Sequence, residues 1–394
     1  MTIVASPKTH PSIVLPAPSS PPVLLQAATH TPNPNEALIK VTWTCSTPLD
    51  LHRSDGNLAI SSFPFHLGTA FAGTVISLWL RPTRWPTTSL NDQPLKEGDK
   101  VFGFVSDGNE REAGFQEYVT VPVHKVSKLP ANVPYGLKEA VTIPTNLVTA
   151  FHALTADLGL RLPWPKPKSF RGGDKRVLIW GGASSVGLYT IQVLKYWGYT
   201  NVIAVASGKH HEELRRLGAR VCFDYRNSRV LEEIERYLDK EDGSRQGGPI
   251  VGARIPYFVD CIGSRDGTLR PLSEIAERGS KVAVMLPVIN VHAAEGRRPV
   301  FAADEHNVEG VVWRDGVEVK GVRTLNYEEN MFFREKLQPV IIPALLAQGA
   351  IQPNRARVVE GATLLERAHN ALQLLREQSP SGERLVWRVS EDER

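Results

Sequence analysis

Apolar and polar residues alternate in short runs through roughly the first 140 residues. Ala37–Val41, Phe71–Ile76, Lys100–Val105 and Phe115–Val121 fit half-buried strands, and Gly98-Asp99 and Asn132–Pro134 fit turns between them. The pattern predicts a compact β-rich domain. Arg81–Pro94, polar and proline-containing, reads as an insertion loop, and the proline-rich N-terminus Met1–Pro22 as low-complexity chain. That N-terminus has no continuous apolar core, so no secretory leader is expected. No apolar run approaches the roughly 20 residues of a membrane-spanning helix.

Beyond residue 140 the period changes. Lys138–Ala156 reads as a helix broken at Pro144, and Leu160–Asp174, with Pro163, Pro165 and Pro167, as a linker. Strands and helices then alternate. Arg176–Trp180 is followed by helix Ser184–Trp197, Val202–Ala206 by helix His210–Leu217, and Val221–Asp224 by helix Val230–Lys240. Tyr257–Cys261, helix Leu269–Glu277 and strand Lys281–Leu286 complete the series. Strands separated by helices need crossovers, which make a parallel sheet. An amphipathic segment, Gly361–Gln378, and a closing strand, Arg384–Val389, end the chain.

Composition narrows the class. With 42% hydrophobic and 22% charged residues the chain is of ordinary globular make-up, and 394 residues suggest two domains, or one large domain with a dependent partner. Its formal charge of +4 is too small to argue for a nucleic-acid partner. Cys45, Cys222 and Cys261 are odd in number and far apart, which excludes a disulfide framework and a four-cysteine zinc site. They read as small buried side chains in a reducing, cytoplasmic setting.

The chemistry concentrates in Lys175–Gly198. An apolar strand runs into Gly181-Gly182-Ala183-Ser184-Ser185-Val186-Gly187, and a helix follows with Val186, Tyr189, Val193, Leu194 and Trp197 on one face. A strand, a tight turn and a helix N-terminus bind a pyrophosphate through outward N–H groups and the helix dipole. The G-x-G-x-x-G positions hold Gly182, Ser184 and Gly187. Ser184 replaces a glycine, but its hydroxyl could donate to a phosphate oxygen. A phosphate-binding P-loop is excluded by Gly187-Leu188-Tyr189, and a nucleophile elbow by Val186. A turn that binds nothing is the alternative. An NAD site would place Asp or Glu about 20 residues on, to accept from the ribose 2′-hydroxyl. Here position 207 is Ser, followed by Gly208, Lys209 and His210, with Tyr225 after the next strand. Ser207 and Lys209 suit a 2′-phosphate, so NADPH is expected; the lesser alternative for Lys209 is a solvated residue opening a helix.

With this turn in mid-chain, the sequence resembles the medium-chain dehydrogenase/reductase superfamily from about residue 10 to 390. Pro48-x-Asp50, Leu67–Val75, Gly98-Asp99-x-Val101, Gly114-Phe115-x-Glu117-Tyr118 and Ser381–Val386 are similar to its signatures. The resemblance implies an α/β fold. A Rossmann-type parallel-sheet domain (145–337) would join a β-rich GroES-like domain built from both chain ends (1–144 and 338–394). It also implies a nicotinamide held in the cleft between the two domains. The zinc-dependent branch carries a Cys three residues before the signature Asp, and a Gly-His-Glu. Here Thr47 and Gly68-Thr69-Ala70 stand in those places, so no metal is expected, and His52 and His66 read as surface or core-edge residues.

Within the zinc-free branch the chain resembles fungal enoyl reductases that act in trans with polyketide synthases. The residues are the Gly-Gly-x-Ser-Ser turn, Ser207–His210, Phe223–Tyr225, Asp260–Ile262 and Val358–Gly361. That resemblance implies hydride transfer from NADPH to an activated C=C, with a carrier-bound or free acyl substrate, a synthase carrier protein as partner, and a monomer or homodimer. It gives Thr47, Asp50, Thr145 and Asn146 as catalytic candidates. For the cofactor it gives Leu51, Thr149, Gly182, Ser184, Ser185, Val186, Gly187, Ser207, Lys209, His210, Tyr225, Ile262 and Leu286. No residue identifies itself as the proton donor, and Thr145 and Thr149 could equally cap a helix. Pro287–Tyr327 is expected to face substrate in part. Two other readings stand beside this one: a quinone or enone reductase of free small molecules, and a cofactor-binding pathway protein with lost or diverted activity.

Overall fold

The computed structural model describes residues 6–80, 94–243, 252–302 and 304–390. Two compact units emerge. One comprises Met1–Val148, Ala293–Pro299 and Tyr327–Arg394, the other Thr149–His292 and Val300–Asn326. The insertion loop expected at Arg81–Pro94 lies, apart from Pro94, outside the described residues.

The first unit opens with β1 (Thr9–Leu15), β2 (Val23–Ala28), β3 (Glu36–Ser46), α1 (Pro48–Gly56), β4 (Phe65–His66) and β5 (Ala70–Trp79). It continues through β6 (Lys100–Phe104), β7 (Tyr118–Pro122), β8 (Ser127–Lys128), α2 (Leu137–Ala140) and α3 (Pro144–His152). The proline-rich start is therefore ordered as an antiparallel hairpin, with Thr9 opposite Ala28 and Val14 opposite Val23. Its prolines sit mainly in the connection, where a missing N–H costs nothing, and Pro11 offers its carbonyl to the Glu117 amide.

The second unit carries the alternation. Its elements are β9 (Val177–Trp180), α4 (Ser185–Trp197), β10 (Val202–Val205), α5 (His211–Leu217), β11 (Val221–Phe223) and α6 (Val230–Gly243). They continue with β12 (Tyr257–Asp260), α7 (Arg270–Ile275), β13 (Lys281–Met285), β14 (Val288–Val291), β15 (Val300–Ala302) and β16 (Glu318–Val322). Six of these strands pair in the order β11-β10-β9-β12-β13-β16, all parallel. That is the doubly wound arrangement, with the first strand central. The apolar strands are buried because helices cover both faces. Val230, Ile234 and Leu238 give α6 one apolar face at a four-residue spacing. The sequence pattern missed β16, whose alternation is interrupted by a glycine.

The chain then returns to the first unit with α8 (Met331–Lys336), α9 (Ile342–Ala347), β17 (Arg355–Val358), α10 (Leu364–Arg376) and β18 (Glu383–Arg388). β18 pairs with β3, placing the chain end in the order β17-β18-β3-β5-β6-β8, with β7 also on β3. Trp387 is fully buried, with its ring edge-on to Phe115 at 4.6 Å. All three cysteines are buried and free, as the composition predicted.

Candidate active site

Glycine geometry builds the turn after β9. Gly181 has φ +79°, and a Cβ there would lie 2.6 Å from Ile262 Cγ1. A Cβ on Gly187 would lie 2.5 Å from the Gly181 carbonyl oxygen and 2.8 Å from Gly182 Cα, so only glycine lets α4 settle onto the turn. Ser184 caps α4, its Oγ accepting from the Gly187 amide at 3.1 Å. A capping hydroxyl keeps its own proton for an anion. The Ser185 and Val186 amides open the first turn of the helix, the part that attracts a phosphate. Cys261 touches the same serine, and burial pushes its thiol far up, so it is a neutral packing group.

β9 lies between β10 and β12, so its loop sits where the strand order reverses. The opposing wall is set by Asp260, which the sequence marks only as part of the Asp260–Ile262 motif, without a role. It is fully buried at the end of β12. One carboxylate oxygen accepts from the Ile262 and Gly263 amides at 2.9 and 3.0 Å, and the other from Thr268 Oγ1 at 2.7 Å. These bonds fold the chain back so that Ile262 meets Gly181. Burial pushes the Asp260 carboxyl up to about 6 against those hydrogen bonds. Leu286 follows β13 half-buried, and Thr149 Oγ1 bonds Thr324 Oγ1 at 3.0 Å just beyond β16. Ser207 is buried after β10, whereas Lys209 is exposed. Two charged neighbours lie there: Asp224, marked in the sequence only as part of a motif, and Arg226, which the sequence reading missed. Asp224 accepts from the Gly208 amide at 2.8 Å and the Arg226 amide at 2.9 Å, which hold its carboxyl below the usual range. Arg226 is exposed, its guanidinium 5.8 Å from the Tyr225 ring. No periodicity marks either residue; only the register of β11 beside β10 brings them to this loop.

The remaining candidates belong to the first unit. Thr47 caps α1, and its amide and hydroxyl both donate to Asp50 Oδ2, at 2.6 and 3.0 Å. Asp50 is fully buried, and its Oδ1 has no hydrogen-bond partner among the described residues. Burial pushes its carboxyl up, against the Thr47 bonds and the nearby Arg384 and Arg53. Leu51 packs with Ala293 and Leu372. Asn146 is buried, and Thr145 Oγ1 reaches toward the Thr69 carbonyl at 3.5 Å. His52 and His66 are both buried, at the core edge rather than at the surface, because α1 and the β1–β4 pairing enclose them. His66 Nδ1 hydrogen-bonds Ser12 at 2.9 Å. Of the region expected to face substrate, Val288 is core and Trp313 packs against that core.

A doubly wound sheet with this turn, alongside a β-rich unit drawn from both chain ends, defines an oxidoreductase of the alcohol-dehydrogenase type. Residues 33–131 match the alcohol dehydrogenase GroES-like domain. The chain is 32% identical over 364 residues to the trans-enoyl reductase himH of Aspergillus japonicus, covering 91% of each. It is 33% identical over 272 residues to the trans-enoyl reductase tazE of Aspergillus terreus, covering 68% of this chain and 80% of that one. An alcohol dehydrogenase superfamily protein from Novosphingobium aromaticivorans shares the fold, with a TM-score of 0.69 at 20% identity over 97% of this chain and 100% of the other. The chain belongs to the medium-chain dehydrogenase/reductase superfamily, as its motifs implied, and that fold implies a nicotinamide cofactor. No helix among the described residues is long and apolar enough to cross a membrane.

Proposed function

We propose that the protein is an NADPH-dependent, zinc-independent enoyl reductase that acts in trans on a polyketide enoyl thioester, in the cytoplasm of a fungus. The observation that carries the reading is the β9 turn, whose cradle would be filled by a Cβ at Gly187 and whose cap is Ser184. Kinship with himH and tazE supports the reaction class. When bound, NADPH supplies a hydride to the β-carbon of the conjugated C=C. The Ser185 and Val186 amides and the Ser184 hydroxyl hold the pyrophosphate, with Gly182 and Gly187 admitting it. Ser207, Lys209, His210 and Tyr225 receive the 2′-phosphate end, and Arg226 adds a second cation. Within the second unit Ile262, Leu286 and Thr149 flank the nicotinamide end. The Thr145 hydroxyl and the Asn146 amide donate toward the substrate carbonyl as its oxygen gains charge, while the Thr47 hydroxyl, whose proton goes to Asp50, holds that carboxyl in place. The α-carbon takes its proton from water.

Zinc independence rests on Thr47 and Gly68-Thr69-Ala70 at the family's ligand positions. No group of three or more His, Cys, Asp or Glu suited to a metal occurs among the described residues. Asp224 favours one second reading, use of NADH, because a carboxylate beside the Gly208 amide can accept from a ribose hydroxyl. Oxidation of NADPH and NADH against enoyl thioesters and quinones, with metal analysis of the same sample, tests the proposal. It predicts NADPH use, thioester preference and no stoichiometric zinc. Quinone preference, or zinc-dependent turnover, would overturn it.

A further inference from the structure

We propose that the loop spanning residues 161–175 is a docking surface for an acidic protein. The proposal rests on the reading that the substrate is carried by another protein. The loop holds five cations, Arg161, Lys166, Lys168, Arg171 and Lys175, against one carboxylate, Asp174. Its excess of four equals the formal charge of the whole chain, so the rest of the sequence is balanced. Elsewhere in the same unit arginines are neutralised locally: Arg216 by Glu213, Arg220 by Glu241, and Arg254 by Glu235, Asp239 and Asp242. Within the loop a single carboxylate, Asp174, stands against five cations. Like charges in such excess repel one another, a cost an acidic partner removes.

The loop is already held in shape. Trp197 Nε1 donates to the Pro163 carbonyl at 3.0 Å, and the Tyr199 hydroxyl bonds both the amide and the carbonyl of Arg161 at 3.1 Å. The Gly172 amide donates to the Trp197 carbonyl at 2.9 Å. Lys166 bonds the Tyr196 carbonyl and lies 4.9 Å from the Tyr196 ring. Prolines and these anchors mean little ordering entropy remains to be lost on binding. Half-buried Trp164, Phe170 and Tyr196 lie among the cations, and aromatic residues and arginines such as Arg161 and Arg171 are types that protein interfaces favour. A net charge of +4 gives little long-range field for a nucleic acid.

Position gives the surface its role. The loop leads into the N-terminal end of β9 and abuts the C-terminal end of α4, whereas the phosphate turn joins their other ends. The 13-residue helix separates the two by roughly 20 Å. A partner seated here tethers the enzyme and leaves the cofactor edge of this unit uncovered.

The test uses Lys168→Glu/Lys175→Glu and the neutral Lys168→Gln/Lys175→Gln in the full chain, with fluorescent poly-L-glutamate as probe. Wild type should bind it with salt-sensitive affinity. Charge reversal should weaken binding about tenfold and neutralisation less, with turnover on a free enoyl thioester unchanged. Equal binding by wild type and the reversed variant would overturn the proposal. So would tighter binding of wild type to duplex DNA or phosphatidylserine vesicles than to poly-glutamate, or no binding to poly-glutamate at low salt. Absence of turnover together with lysine-dependent binding would strike the catalytic reading and leave this surface standing.

Discussion

Two aspartates, one in each unit, are completely buried and put to different ends. Asp260 spends both oxygens on three donors, and the reward is geometric: the chain after β12 is folded against the glycine turn. Asp50 uses one oxygen on Thr47, and its Oδ1 has no hydrogen-bond partner among the described residues. A fully satisfied buried carboxylate fixes a backbone, whereas a half-satisfied one retains capacity to accept. The cofactor edge is therefore built from backbone geometry, while Thr47 and Asp50 of the other unit are held through a helix cap.

The contrast breaks first at the turn. Gly187→Ala forces a Cβ into the Gly181 carbonyl, and NADPH affinity should fall by about 100-fold, roughly 3 kcal/mol, in a cofactor titration. Asp260 provides a pH test of nearly that size. Its folded pKa of about 6 exceeds its ordinary value of 3.8, so its contribution to stability is full below about pH 4 and is lost as pH rises through about 6, a span of roughly 3 kcal/mol at most. Asp260→Asn keeps an acceptor for the two amides and removes this slope. Chemical denaturation should show the variant gaining on wild type as pH rises; parallel curves would contradict the assignment.

Smaller effects sharpen the comparison. Lys209→Glu should cut kcat/KM for NADPH about tenfold and leave NADH little changed, because only the 2′-phosphate meets that charge. A uniform loss with both cofactors would make Lys209 a helix-opening surface residue. Asp50→Ala should destabilise the protein by about 1 kcal/mol through the lost cap, seen in thermal melts. Asp50→Asn, which can still accept from Thr47, should keep most activity; its inactivation would give the carboxyl a role in proton transfer.

What the sequence disclosed follows the same division. The glycine turn, its helix and the parallel alternation were readable because steric rules at Gly181, Gly187 and Ser184 act within a few residues. The same local reading understated the N-terminus, where prolines masked the β1–β2 hairpin. It also missed Arg226 and gave Asp260 and Asp224 no role beyond their motifs, because those roles depend on strand register across the sheet. Asp50 was visible as a signature residue, but its half-used carboxylate was not, since burial and partner count are properties of the folded chain.

Hydride destination tests the central claim most directly. The protein would be supplied with NADPH deuterated at the transferred position and an enoyl thioester, and the product examined by mass spectrometry and NMR. The account predicts a saturated thioester with deuterium on the β-carbon and a solvent proton on the α-carbon. Deuterium on a carbinol carbon, or no transfer from NADPH to any acceptor, would contradict it.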